Sequence, residues 1–203
     1  NLSDNRTLYS SGINARWYFV LDFESTCYQN TPVGFTPEII EFPVVVMDAK
    51  SGEVVSSYRR FVRPTEFPNL SEFCIKFTHI DQPAFLVESQ KSTVDSSDEL
   101  GYVLKDFDSW LKEQKSLLKC EFKSDAENPA VFVTWTGNSD ITVLPSDWDV
   151  RVCLWDECRR KKLPIPGDLL TRIDLKAIFQ ILNPASTWPK ESCFHSILLY
   201  WVR

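Results

Sequence analysis

Two carboxylates follow a short apolar run near the start of the sequence. Residues 17–21 (WYFVL) are apolar, and Asp22, Phe23 and Glu24 come directly after them. Because successive strand residues point to opposite faces, Asp22 and Glu24 would share one face and Phe23 would point to the other. Two carboxylates at the end of a central strand can hold one metal ion or bridge two. Strands also end in solvated acids, so the spacing alone leaves both interpretations open.

A third carboxylate, Asp149, stands at the start of a predicted helix, after the predicted strand 130–135. Ser146 and Asp147 come just before it. Polar and acidic residues at a helix start are stabilised by capping and by the positive end of the helix dipole. A capping role and a ligand role are therefore both consistent with Asp149.

The histidines and the basic residues give weaker indications of a catalytic role than the three carboxylates. His79 and His195 each stand apart from other candidate catalytic residues, and we expect neither to be catalytic. Residues 159–162 (RRKK) close a predicted helix, where either a solvated helix end or a phosphate-binding patch would suit cations. The sequence contains no GxSxG, Walker, GxGxxG or HExxH pattern, so serine hydrolases, nucleotide triphosphatases, dinucleotide-binding enzymes and zincins lose their main support.

Apolar patterns predict the elements that position these residues. Strands are predicted at 17–21, 38–48, 53–62 and 130–135, and helices at 71–77, 98–113 and 148–161. Ser71 is a candidate N-cap, and the turn-rich residues 49–52 suggest an antiparallel hairpin. Pro43 would require an edge strand or a bulge. This order of elements predicts an α/β fold with a hairpin at one side of the sheet.

Length and composition predict one globular domain. The 203 residues are 43% hydrophobic and 25% charged, which is ordinary for a folded protein and unlike a disordered or fibrous chain. We expect a flexible leader at 1–16, one domain at 17–180 and an atypical tail at 181–203. No apolar run approaches the length of a membrane span, so no membrane association is predicted.

Charge and cysteine content narrow the class further. A net charge of −6 argues against a protein that binds polyanions through a basic surface, but not against an enzyme that meets a phosphodiester through bound cations. The six cysteines lack the spacing of a zinc site or a disulfide framework. We therefore expect free thiols in a reducing compartment, cytoplasmic and/or nuclear.

Several segments together resemble a known family. They are 21–27 (LDFESTC), 38–43 (EIIEFP), 58–64 (YRRFVRP), 70–80 (LSEFCIKFTHI), 134–135 (TW), 146–149 (SDWD) and 157–159 (ECR). In this order they resemble the DEDDh 3′–5′ exoribonucleases, and most closely the branch of the histone-mRNA and RNA-interference exonucleases. The resemblance covers about residues 17–180.

The resemblance implies a ribonuclease H-like fold, a mixed five-stranded sheet flanked by helices. It also implies hydrolysis of RNA from a single-stranded or shortly overhanging 3′ end, with two Mg²⁺ or Mn²⁺ ions per site. No obligate protein partner is implied. The family motifs place metal-binding, catalytic carboxylates and nucleotide-binding aromatic residues on this sequence. The carboxylates are Asp22, Glu24 and Asp149, and the aromatic residues are Phe23, Phe73 and Trp148.

Two departures from the family pattern affect the expected activity. Residues 136–145 interrupt a string that is continuous in the family, and this insertion could displace Asp149. The family also uses a catalytic histidine followed five residues later by a fourth aspartate, whereas Tyr200 holds that position after His195. We therefore interpret the C-terminal part as atypical or truncated. The alternative is that the chain is a catalytically impaired, truncated or alternatively spliced form, which acts as an RNA-binding or regulatory domain.

Overall fold

A mixed sheet carries the candidate residues in the computed structural model, which describes residues 15–81, 94, 97–135 and 148–175. The strands are β1 (Trp17–Leu21), β2 (Glu24–Ser25), β3 (Ile39–Asp48), β4 (Val54–Phe61), β5 (Ala130–Thr134) and β6 (Arg172–Asp174). The helices are α1 (Glu72–Thr78), α2 (Leu100–Leu118), a π-helix (Trp148–Leu154), α3 (Trp155–Lys161) and a 3₁₀ turn (Gly167–Leu170). None of the helices in these residues has the length and apolarity to cross a bilayer.

The pairing of the strands confirms the predicted mixed α/β class. Strand β1 pairs antiparallel with β3 and parallel with β5, and β5 pairs parallel with β6. Strand β4 lies on the other side of β3, because Glu41 pairs with Phe61 on one side and with Glu24 on the other. The described residues thus form six strands, whereas the resemblance implied five and the sequence pattern marked four, without β2 and β6.

Pro43 lies in the interior strand β3, opposite an interruption in the neighbouring strand. Leu21 pairs with Val44 and Glu24 pairs with Glu41, so Asp22 lies opposite Pro43 in register. Proline has no N–H to donate to a ladder. The strand is interrupted at residues 22–23, between β1 and β2, and the candidate acids flank this interruption.

Helix α2 covers one face of the sheet through the apolar stripe predicted for it. Its buried side chains include Val103, Phe107 and Leu111, which join Phe19 and Phe132 of the sheet in the main core. The helix extends to Leu118, beyond the predicted end at residue 113. It ends where Lys119 adopts the left-handed backbone conformation. This packing fixes the central strand that ends at the candidate acids.

Candidate active site

The two acids beside β1 differ in exposure. Asp22 is half-buried and Glu24 is buried. A hydrogen bond to Cys74, burial and, to a smaller extent, the charge of Glu24 raise the pKa of the Cys27 thiol. Phe23 packs its ring against Phe42 in the main core, with 4.4 Å between ring centroids.

The burial of Phe23 limits how this residue can contact a nucleotide. Its side chain is only 4% exposed and belongs to the main core, so its ring cannot stack on a nucleotide. The prediction that Phe23 binds the nucleotide stays a prediction, and any such contact would not be made by its ring. The ring is buried because it packs against Phe42 and the other apolar side chains of the main core. The backbone of Phe23 has a different role.

Asp149 meets the β1 strand end through that backbone. The N–H of Phe23 donates to Oδ1 of Asp149 at 3.0 Å, and Asp149 is fully buried. The third candidate carboxylate therefore lies against the segment that bears Asp22 and Glu24. The insertion at 136–145 has not displaced Asp149 from this segment, although residues 136–147 lie outside the described part of the chain.

The helical segment that carries Asp149 is wound differently from the single α-helix we predicted. Its first seven residues, Trp148–Leu154, form a π-helix, and only then does α3 begin. π-Helical turns are rare and frequently occur at functional sites. A period of 3.6 and a π-helical turn cannot be distinguished over seven residues of sequence, so the pattern held no signal for this winding.

A second carboxylate anchors the same segment to the sheet. Glu157 of α3 is fully buried, and its Oε2 accepts a hydrogen bond from the N–H of Ile39 at 2.7 Å. Burial raises the pKa of Glu157, and the hydrogen bond and charge of Lys161 act in the opposite direction. Asp149 and Glu157 thus fix the segment at two backbone amides, one beside β1 and one at the start of β3.

The basic cluster at 159–162 forms ion pairs with acids of α3 itself and with acids from other parts of the chain. Nζ of Lys161 lies 2.7 Å from carboxylate oxygens of both Glu38 and Glu157. Arg160 pairs with Glu66 at 2.9 Å. Lys161 and Arg160 are therefore not simply solvated cations at a helix end. Their charges pair with carboxylates of the protein rather than lying free to bind phosphate. Sequence patterns could not indicate these pairings, because Glu38 and Glu66 lie 123 and 94 positions away from their partners.

Glu38 organises the loop after β4. Its carboxylate accepts hydrogen bonds from the backbone N–H groups of Thr65, Glu66 and Phe67 and from Lys161. Burial alone would raise the pKa of Glu38, but these hydrogen bonds outweigh it and lower the pKa below its usual value. The network ties β3, the 65–67 loop and α3 together behind the site.

Phe73 and Trp148, the other two predicted nucleotide-binding residues, are placed differently from Phe23. Phe73 lies on the exposed side of α1 and is 37% exposed. Trp148 is half-buried at the rim of the main core and precedes Asp149. Ser71 caps α1 as predicted, since its hydroxyl accepts from the N–H of Cys74. Neither ring is sealed in the core, as that of Phe23 is.

The chemistry of the three candidate carboxylates suits hard divalent cations. Carboxylate oxygens are the ligands that Mg²⁺ and Mn²⁺ prefer, and Asp149 brings a third carboxylate to the strand end. In the described ranges, no three His, Cys, Asp or Glu side chains are arranged to hold a metal ion. The predicted assignment of Asp22, Glu24 and Asp149 as metal ligands and catalytic residues stays a prediction. His79 is an exposed helix C-cap, and His195 lies outside the described residues.

The fold matches that of known nucleases. The chain superposes on the nuclease domain of 3′hExo, a DEDDh family member bound to rAMP, with a TM-score of 0.66 and 24% identity over 85% of this chain and 73% of that one. It also matches cell-death related nuclease 4 with a TM-score of 0.66 and 18% identity, covering 92% and 55% of the two chains. These likenesses confirm the ribonuclease H-like fold.

Sequence comparison assigns the family. The pattern of the Exonuclease family (RNase_T) matches residues 19–130, and the chain belongs to this family. It is 36% identical to ERI1 exoribonuclease 2 of Mus musculus, over 81% of this chain and 22% of that protein. It is 32% identical to the 3′-5′ exonuclease Snipper of Drosophila melanogaster, over 81% and 54%. The predicted resemblance to DEDDh exonucleases of this branch is confirmed. The chain spans about a quarter of the length of the ERI1 exoribonuclease 2 proteins it matches.

Proposed function

We propose that this chain acts as a divalent-metal-dependent 3′–5′ exoribonuclease domain. The observation that carries the proposal is the hydrogen bond from the N–H of Phe23 to Asp149, which seats a buried carboxylate on the segment that holds Asp22 and Glu24. The family supports the same reaction, since relatives are named exoribonucleases. One related structure is described as 3′-end recognition of the histone mRNA stem-loop.

The residues divide the chemistry between metal binding and positioning. When bound, two Mg²⁺ or Mn²⁺ ions supply an activated water and charge stabilisation for the leaving 3′ oxygen. Asp22, Glu24 and Asp149 hold these ions. Phe73 and Trp148 stack on the 3′-terminal nucleotide and align its phosphodiester with the carboxylates. Stacking tolerates every base, so these rings do not select a sequence.

The proposed substrate is RNA with a single-stranded 3′ end or a short overhang. The chain's net charge of −6 is compatible with this substrate because the bound cations supply the positive charge at the site. Residues 17–180 constitute the proposed catalytic domain. The proposed location is cytoplasmic and/or nuclear.

A trimming assay tests the reaction directly. RNA labelled at its 5′ end is incubated with the 203-residue chain and Mg²⁺ or Mn²⁺, alongside the Asp149→Asn variant. We expect a ladder of products shortened from the 3′ end, absent with the variant and absent when EDTA is added. Products of internal cleavage, or no metal-dependent interaction with RNA at all, would contradict the proposal.

The second candidate function is RNA binding without hydrolysis. It is favoured by one sequence observation, Tyr200 in the place where the family has an aspartate five residues after its histidine. Without that aspartate His195 does not match the family's catalytic histidine, and a chain without a general base lacks a contribution of about 10²–10⁴-fold in rate. The same assay discriminates the two, because this candidate predicts metal-dependent RNA binding with trimming no faster than in the Asp149→Asn variant.

A further inference from the structure

Helix α1 displays two parallel aromatic rings to solvent. Phe73 and Phe77 are 37% and 65% exposed, with 5.6 Å between their ring centroids and 13° between their planes. Their spacing of four residues places them one above the other, about 6 Å apart along the helix. Family motifs point to Phe73 alone, and nothing in them points to Phe77.

The opposite side of α1 fixes this pair of rings relative to the candidate acids. Ser71 donates from its hydroxyl to the carbonyl of Cys27 at 2.6 Å, and the thiol of Cys74 donates to the carbonyl of Ser25 at 3.6 Å. Both acceptors follow Glu24 in the chain. The first turn of α1 is therefore anchored beside the acidic strand end, and Phe77 lies one turn further from it than Phe73.

A cation accompanies the two rings. Lys76 is three residues from Phe73 and adjacent to Phe77, and its side chain is 80% exposed. Its ion pair with Glu72 is long, 3.9 Å, and lies in solvent, where such pairs contribute little. Exposed rings combined with a lysine match the chemistry of single-stranded nucleic acid, in which bases stack and phosphates attract cations.

We infer that Phe77 forms a second nucleobase subsite, which stacks on the base preceding the 3′-terminal nucleotide. Phe73 stacks on the terminal base, one helical turn closer to the acids, and Lys76 attracts the phosphate backbone between them. This inference rests on the proposed function and adds to it a requirement for substrate length. A strand of two or more nucleotides contacts both rings, whereas a mononucleotide contacts Phe73 only.

Binding measurements with RNA and with a mononucleotide test the subsite. The ligands are a fluorescent oligouridylate with phosphorothioate linkages at its 3′ end, which resist hydrolysis, and uridine 5′-monophosphate as a competitor. We expect Phe77→Ala to weaken oligouridylate binding about tenfold and to leave the mononucleotide unaffected. Phe77→Trp should keep oligouridylate binding near the wild-type level. Phe73→Ala should weaken the binding of both ligands. Leu117→Ala, at another exposed apolar residue on α2, serves as the matched control and should change neither.

An abasic nucleotide at the penultimate position makes the assignment specific. Removing that base should weaken RNA binding by the wild-type protein by the same factor as the Phe77→Ala substitution does. It should cause no further loss of RNA affinity in the Phe77→Ala variant. Equal RNA affinity of Phe77→Ala and wild type, or an undiminished abasic effect in the variant, would overturn the subsite. A folded wild-type chain that binds no RNA would instead overturn the proposed function, so the two failures are distinguishable. Lys76→Gln should reduce the salt dependence of binding by about one phosphate contact.

Discussion

The N–H of Phe23 lies 3.0 Å from Oδ1 of Asp149, across 126 positions of sequence. The ring of Phe23 is packed against Phe42, so this amide cannot shift without disturbing the core. The position of Asp149 is therefore set by core packing as much as by its own helix. A carboxylate held in this way is suited to a task that requires fixed geometry.

Metal binding should stabilise the protein through the three candidate acids. At a Mg²⁺ or Mn²⁺ concentration about 100 times Kd, binding adds about 2.7 kcal/mol, which raises Tm by about 5–10 °C. Asp22→Asn and Asp149→Asn should each remove this increment. The amide introduced by Asp149→Asn retains an oxygen that can accept from the N–H of Phe23, so the fold persists. Differential scanning fluorimetry with and without the ion measures the increment.

The control for metal binding is Asp156→Asn. Asp156 lies on α3 with its side chain 47% exposed, near Arg159. This variant should keep the full metal response. An increment that survives in Asp149→Asn would show that the cations bind elsewhere.

Glu157 should position the helix that carries Asp149. Replacing Glu157 with Ala leaves the buried N–H of Ile39 without its acceptor, and we expect a loss of about 1–3 kcal/mol in the free energy of unfolding. Glu157→Gln retains an acceptor and should lose less. Urea denaturation measures the loss, and the metal-induced rise in Tm should fall more in Glu157→Ala than in Glu157→Gln. Equal metal responses in the two variants would show that Glu157 acts on stability alone.

Glu38 should make stability depend on acidic pH. Its pKa is lowered in the folded protein, so it contributes stability above its usual value of 4.5, and this contribution is lost as pH falls towards the folded pKa. The Tm difference between wild type and Glu38→Gln should therefore be largest near pH 7 and shrink towards pH 3. Scanning calorimetry at several pH values measures it, with the exposed Glu53→Gln as control. A difference that is constant with pH would contradict the role of the Glu38 charge.

Phe107 should be a major contributor to core stability. It is fully buried and its ring lies 4.8 Å from that of Phe42 and 5.3 Å from that of Tyr58. Phe107→Ala should cost about 3–5 kcal/mol, the range for a deleted buried aromatic ring. Chemical denaturation measures the loss. Leu117→Ala, at an exposed position of the same helix, should stay within about 0.5 kcal/mol of wild type.

Local pattern was sufficient to predict most of the elements. The apolar run at residues 17–21 and the stripe of α2 reflect burial on a sheet and a 3.6-residue period, and both are read directly from sequence. Ser71 was identified as an N-cap because a hydroxyl before a helix has one common use. These features depend on neighbours in the chain.

The features that escaped prediction depend on distant partners. Strand β6 contains Arg172 and Asp174, polar residues that the sheet buries, so no apolar run marked it. The contact of Glu38 with Lys161 required the fold to bring α3 against the residue that precedes β3. The motif places Phe23 among the nucleotide-binding residues and gives no sign that its ring packs against Phe42 in the main core.

The two anchors of the π-helix and α3, Asp149 on Phe23 and Glu157 on Ile39, both lie after the insertion at 136–145. The returning segment is thus located by its own contacts and not by the length of the connection that leads to it. This arrangement separates the evolution of the connection from that of the chemistry. Residues 136–145 can lengthen, shorten or acquire a new recognition task, while Asp149 stays in register with the strand end.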